Sequence, residues 1–199
     1  MLIVISDPLM RSDDAGFINA LFDEGLEVFH VRKPSAAAPA IQHLLEKIKQ
    51  DHYAKIALHH HHELAESFGI KRLHYTEEHR KKTEAKEWSL LKEQGFHLST
   101  SIHQIEEANT ISEQFDYVFF GPVFNNISKK GYMATVTENF IVPNKKIKLV
   151  AIGGIDENNV SKILQKGFDG IAVLGAIWLS ADPVKSFKQI KKACGPTVQ

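Results

Sequence analysis

The chain reads as one α/β domain of the (β/α)8 (TIM) barrel class, and three observations lead there. Eight short apolar runs of strand length recur along the 199 residues, and most of the segments between them carry a helical pattern. The last two runs, 147–152 and 170–174, are joined by a helical stretch of the length that connects parallel neighbours. Both run into small residues, Gly153-Gly154 and Gly175-Ala176. Bare backbone N–H groups at the carboxyl ends of two adjacent strands are the recurrent anion site of this fold, so a phosphate-bearing ligand is expected there.

Residues 2–6 (LIVIS) predict the first strand, 13–26 a helix burying Ala15, Ile18, Leu21 and Phe22, and 28–31 the second strand. A helix presenting Ile41, Leu44, Leu45 and Ile48 follows, then a third strand at 55–58. After HHHHE comes a short helix to Phe68, stopped by Gly69, and a fourth strand at 72–75. The charged segment 79–94 predicts a surface helix with Trp88, Leu90 and Leu91 embedded. Strands at 96–98 and 117–120 flank a helix predicted over 103–114. Asp156 suits the cap of the helix carrying Val160, Ile163 and Leu164, which Gly167 ends. One unit breaks the rhythm: 121–146 has no sustained helical period and is rich in Asn, Ser and Thr, so an irregular loop replaces a full helix after strand 6.

Composition narrows the function. Lys plus Arg and Asp plus Glu number 24 each, a balance that argues against nucleic acid or a membrane surface as partner. The single cysteine, Cys194, excludes an internal disulfide and a CxxC centre. The opening apolar run is five residues long and meets Asp7-Pro8, too short for a leader or a span, so a cytoplasmic protein is expected.

The carboxyl-end loops offer Arg32, Lys33, His59 to His62, His74, Glu77, His79, Ser101, His103 and Lys129. Arg32 and Lys129 suit an anion, as a bidentate guanidinium and a mobile ammonium. The four consecutive histidines raise the question of a metal. On an extended strand end alternate members face opposite ways, so at most two converge, and His74, His79 or Glu77 would have to supply a third ligand. No HExxH spacing and no nucleophilic triad is legible.

Several stretches together resemble the thiamine phosphate synthases and their relatives the thiazole tautomerases. FHVRKPS is similar to VQLREK, LHHHHELAESFGIKRLHY to INDRxDLALxxGADGVHLGQ, and STSIHQIEEA to GxSxHxxEEA. YVFFGPVFNNISKKGY resembles YVxFGPVFPTxTKxGY, while VAIGGID and GIAVLGAI match almost letter for letter. The resemblance implies a barrel that joins hydroxymethylpyrimidine diphosphate to thiazole phosphate with magnesium and releases diphosphate. It also suggests self-association as a homodimer.

Carried over by motif, the resemblance gives Arg32, Lys129 and Ser101 to the diphosphate. Gly153, Gly154, Gly175 and Ala176 go to the thiazole phosphate, and Asn126 and Ser128 to the clamp loop. The chain departs from the pattern at one half of the site. His59-His60 stand for the Asn-Asp pair, His79 for the second magnesium carboxylate, His30 for the diphosphate-gripping glutamine and Pro34 for a lysine. His60 is then a candidate for catalysis, His60 and His79 for a metal, and His30 and His59 for substrate binding. Magnesium prefers oxygen ligands, to which imidazole is a poor substitute. The tautomerase branch, or a binder of thiazole phosphate without catalysis, is the alternative. In that branch the working histidine replaces the proline kept here as Pro122, so a base would come from His30, His60, His74 or His103.

Overall fold

The computed structural model describes residues 1–111, 113–124 and 136–195. Eight parallel strands close on themselves in sequence order, β1 pairing with β8 through Leu2↔Ile171, Ile3↔Ala172 and Val4↔Val173. The strands are β1 (Leu2–Ile5), β2 (Val28–Val31), β3 (Ile56–Leu58), β4 (Arg72–Tyr75), β5 (His97–Ile102), β6 (Phe115–Phe120), β7 (Lys148–Ile152) and β8 (Gly170–Val173). Around them run α1 (Asp14–Asp23), α2 (Ala38–Glu46), α3 (Leu64–Phe68), α4 (Glu77–Lys82), α5 (Ala85–Glu93), α6 (Val160–Gln165), α7 (Gly175–Trp178) and α8 (Pro183–Ala193).

Strand alternation splits the apolar residues into two populations. One parity faces the helices and forms the main core: Val4, Phe29, Leu58, Leu73 and Leu149 are buried against Ile18, Leu45, Ile163 and Phe187. The other fills the barrel with Ile3, Ile5, Val28, Tyr117, Phe119, Val150 and Ala172. Strand content at β2 and β4 adds His30 and His74 to that interior, both buried. Close passage of β6 by β7 requires Gly121, where a Cβ would fall 2.0 Å from the Ile152 carbonyl oxygen. Trp178 donates its indole N–H to the Ile5 carbonyl (2.7 Å) and ties α7 to the barrel.

Two predicted helices come out differently. The segment 79–94 is divided, because Thr83 adopts extended backbone and turns its hydroxyl to the His79 carbonyl (2.9 Å), ending α4 before α5 begins. Only α5 reaches the core, through Trp88. The helix predicted over 103–114 is a short 3₁₀ segment at 105–109, because β5 runs on to Ile102 and only Ala108 of that segment is buried. Asp156 does not cap α6 directly: its carboxylate accepts from Asn158 N–H (2.8 Å) in the preceding turn, and α6 starts at Val160 behind Asn159. The described parts of 121–146 contain no helix, and among the described residues no helix is long and apolar enough to cross a membrane.

Candidate active site

The mouth at the carboxyl ends of the strands has two opposed halves. On one side lie the loops after β7 and β8. Gly153 and Gly154 take consecutive positive φ angles, 101° and 70°. A side chain at Gly153 would meet Pro122 at 2.8 Å, so the turn closes only with glycine. Their carbonyls are turned away and used: Gly153 O accepts from Phe124 N–H (3.1 Å) and Gly154 O from the Asn159 amide (2.8 Å). The N–H groups of Gly153, Gly154, Gly175 and Ala176 have no partner among the described residues. Ser186 anchors the second loop by donating to the Ala176 carbonyl (2.6 Å). Backbone N–H groups left open at strand ends in this way are the kind of donor an anion takes.

The other half is built on β2 to β4. A cavity of about 560 Å³ opens there, lined by Pro34, Ala36, His59, His60, His62 and His79 among others. Arg32 is half-buried just past the end of β2, its backbone clipped to the end of β1 in both directions: Arg32 N–H donates to Ser6 Oγ (2.8 Å), and Ser6 Oγ donates to Arg32 O (3.0 Å). Ser6 was not singled out by sequence reasoning, although its place at the end of β1 is the signal. Arg32 has no ion pair among the described residues, and neither Glu63 nor Glu77 engages it. Lys33 leaves the mouth altogether. It is buried and bonds Asp14 Oδ2 (2.6 Å) and the Leu9 carbonyl (2.6 Å), so it fixes the β1–α1 loop.

The histidine run is a turn and not an extended strand end, which changes where its members go. His59 enters the barrel, buried, with its N–H on the Val31 carbonyl (3.1 Å). His60 is exposed over the cavity. His61 takes φ 56°, which reverses the chain and brings its ring to the Ala36 carbonyl (2.9 Å) and Glu63. His62 folds back on the Leu58 carbonyl (3.0 Å), and burial lowers it to about 4. His79 stacks near His62, ring centroids 6.1 Å apart. Loss of water around the His60 ring, and the Arg32 charge, hold His60 below the ordinary imidazole range.

Sequence reasoning missed the cluster beneath. His30 Nδ1 lies 2.8 Å from His59 Nε2, and His30 Nε2 lies 2.6 Å from the Tyr117 hydroxyl. His74 contacts Ser99 Oγ through Nδ1 (3.0 Å) and Ser101 Oγ through Nε2 (3.2 Å). Burial pushes His30 down to about 3, and lowers His59 and His74 well below their ordinary value, so all three are neutral at pH 7. Burial raises Tyr117 to about 12, which keeps it a phenol. Strand parity puts His30, His74, Ser99 and Tyr117 on the inward face of four strands, but which of them meet depends on the register between strands. Ser101, expected at the diphosphate, stands half-buried at the upper edge of this network. His103 lies away from it, 3.2 Å from the Gly121 carbonyl. Asn126, Ser128 and Lys129 fall outside the described residues.

The donors present do not fit magnesium. His60 and His79 stand where carboxylates are expected, and they meet no third ligand atom among the described residues. The carboxylate bordering the cavity, Glu63, is exposed and turned to His61. A hard cation that keeps oxygen ligands finds none in this wall among the described residues.

A closed (β/α)8 barrel whose loops after β7 and β8 present N–H groups with no partner among the described residues has the architecture of the phosphate-binding barrels. The chain belongs to the thiamine monophosphate synthase family, whose model (TMP-TENI) matches residues 1–177. It is similar to the thiamine-phosphate synthases of Listeria innocua, 32% identical over 106 residues (50% of this chain and 50% of that protein), and of Staphylococcus haemolyticus, 40% identical over 83 residues (40% and 39%). The chain thus spans half or less of the length of these curated relatives. A solved structure of thiamine phosphate pyrophosphorylase from Bacteroides thetaiotaomicron superposes with a TM-score of 0.78 at 28% identity, covering 96% of each chain.

Proposed function

We propose that this chain is a thiamine-phosphate synthase, a transferase of thiamine biosynthesis that joins hydroxymethylpyrimidine diphosphate to thiazole phosphate and releases diphosphate. The observation that carries the reading is a pair of features across one mouth: the N–H groups after β7 and β8 that have no partner among the described residues, and half-buried Arg32 just past β2, near enough for its charge to act on the His60 ring. Family membership and the relatives' names support it.

In this reading the glycine loops hold the thiazole phosphate and fix the ring nitrogen toward the centre. The diphosphate lies on the opposite side, on Arg32 and the clamp-loop Lys129. Heterolysis of the C–O bond leaves the electron pair on diphosphate and a pyrimidine-methyl cation; the thiazole nitrogen lone pair then forms the new C–N bond. Arg32 stabilises the charge that grows on the departing oxygens, and the Ser6 clip keeps that residue in place before substrate arrives. Buried imidazoles and the phenol of Tyr117 line the floor as hydrogen-bonding groups. The tautomerase reading is not favoured, since the matched relatives carry the synthase name and Pro122 is retained. We also read the protein as cytoplasmic and as self-associating, and sedimentation of the purified chain tests the self-association.

Arg32→Ala is the direct test. It is expected to lower product formation about 100-fold or more, the scale for removing one preorganised donor, while thiazole phosphate affinity stays near wild type. Loss of thiazole phosphate affinity in this variant would mean the two phosphates are assigned to the wrong halves.

A further inference from the structure

Three imidazoles, from β2, from the residue just past β3 and from β4, meet inside the barrel without a carboxylate among them. His30, His59 and His74 are buried, and one ligand nitrogen from each lies within 4.8 Å of the others. They are the one group of three or more His, Cys, Asp or Glu side chains with that spacing among the described residues. We propose that these three histidines hold one divalent transition-metal ion of the zinc class within the barrel interior, below the mouth.

Neutral imidazole nitrogen suits zinc and its neighbours, and three protein ligands with an open fourth position are the arrangement zinc adopts where it meets solvent or substrate. The surroundings supply what such ligands need on their far side. His30 presents Nδ1 toward His59 and has its other nitrogen on the Tyr117 hydroxyl. Ser99 Oγ uses its hydrogen on the Leu73 carbonyl (3.4 Å) and so accepts from His74 Nδ1–H, which puts the lone pair on His74 Nε2, where Ser101 Oγ now donates to it (3.2 Å). His59 borders the 560 Å³ cavity, which gives the ion its access and the fourth ligand its place. Because Arg32 and Arg72 both act on these rings through space, an anionic oxygen in the fourth position would offset the added charge.

Three adjustments accompany binding, the first being that the Ser101 hydroxyl turns away from His74 Nε2. His30 Nδ1 and His59 Nε2, now 2.8 Å apart, must separate to about 3.3 Å, the spacing of two nitrogens bound tetrahedrally at zinc distances. The His59 and His74 rings, stacked at 4.0 Å, cannot both point a lone pair at one ion, so His59 turns edge-on into the cavity. The site differs from the magnesium site implied by resemblance in its residues, His60 and His79 there, and in its donor chemistry. It does not rest on the synthase reading, because binding is measured without substrate.

The metal-stripped full-length protein is titrated with zinc and with cobalt(II), whose visible ligand-field bands report its ligands. One ion per chain with tetrahedral cobalt bands is expected. The bands should disappear in His30→Gln/His59→Asn, which keeps hydrogen-bonding side chains of similar size, and persist in His61→Gln/His79→Gln. Tyr117→Phe should weaken the site about 10- to 100-fold through loss of the support for His30. Anomalous diffraction at the zinc edge from wild-type crystals locates the ion even if a variant fails to fold. An ion seated only among His60, His61, His62 and His79, or no bound ion, would overturn the proposal.

Discussion

His59 and His74 lie face to face inside the barrel, ring centroids 4.0 Å apart and planes 24° from parallel, with His30 hydrogen-bonded to the first. Neither ring can accept a proton without placing a charge beside two neutral imidazoles and away from water. The unfolded chain, whose histidines titrate near 6.5, therefore binds more protons than the folded one below that pH, until the folded His30 itself titrates at about 3. Stability is full above about pH 6.5 and lost as pH falls, by about 1.4 kcal/mol per unit for each such imidazole. Thermal melts of the metal-free protein should show Tm dropping steeply from pH 6.5 to pH 5, with a shallower fall in His30→Gln. A flat profile over that range would contradict the burial of these rings.

Gly154→Asp should abolish thiazole phosphate binding by setting a like charge at the anion loop, with little effect on Tm beyond the cost of a side chain at φ 70°. Gly153→Ala is expected to be more damaging to the fold, because its Cβ would strike Pro122 at 2.8 Å as well as requiring φ 101°. A loss of about 1–3 kcal/mol is anticipated from the backbone strain alone. Calorimetric titration with thiazole phosphate and a denaturant melt separate the two effects; unchanged affinity in Gly154→Asp would remove the anion site from the β7–β8 loops.

Asp14 and Lys33 form an ion pair closed to solvent, and Asp14 Oδ1 has no hydrogen-bond partner among the described residues. Removing one partner leaves a buried charge, so Asp14→Ala should cost about 3–5 kcal/mol in urea unfolding. Asp14→Leu with Lys33→Met should recover most of that loss. A single-variant cost below about 1 kcal/mol would mean that water reaches the pair.

What could be read from the sequence follows local rules. The eight strands and the glycine loops after β7 and β8 were legible because β-branched runs and glycines act over a few residues. The break at Thr83 was not, since a hydroxyl turned to a carbonyl one turn back competes with helix without disturbing the apolar pattern. The histidine run misled for a related reason: alternation holds only on extended chain, and φ 56° at His61 ends it. Lys33, beside Arg32 in sequence, was grouped with the mouth chemistry, yet its partner Asp14 comes from another element. The same holds for the interior cluster, because His30, His59 and His74 meet only once β2, β3 and β4 are in register.

The most direct test of the account is thiamine phosphate formation by the purified chain given hydroxymethylpyrimidine diphosphate and thiazole phosphate, run in magnesium, manganese, zinc and chelator. The account predicts product in at least one condition, with one diphosphate released per product and at least a 100-fold fall in Arg32→Ala. No product in any condition, while thiazole phosphate still binds, would contradict it.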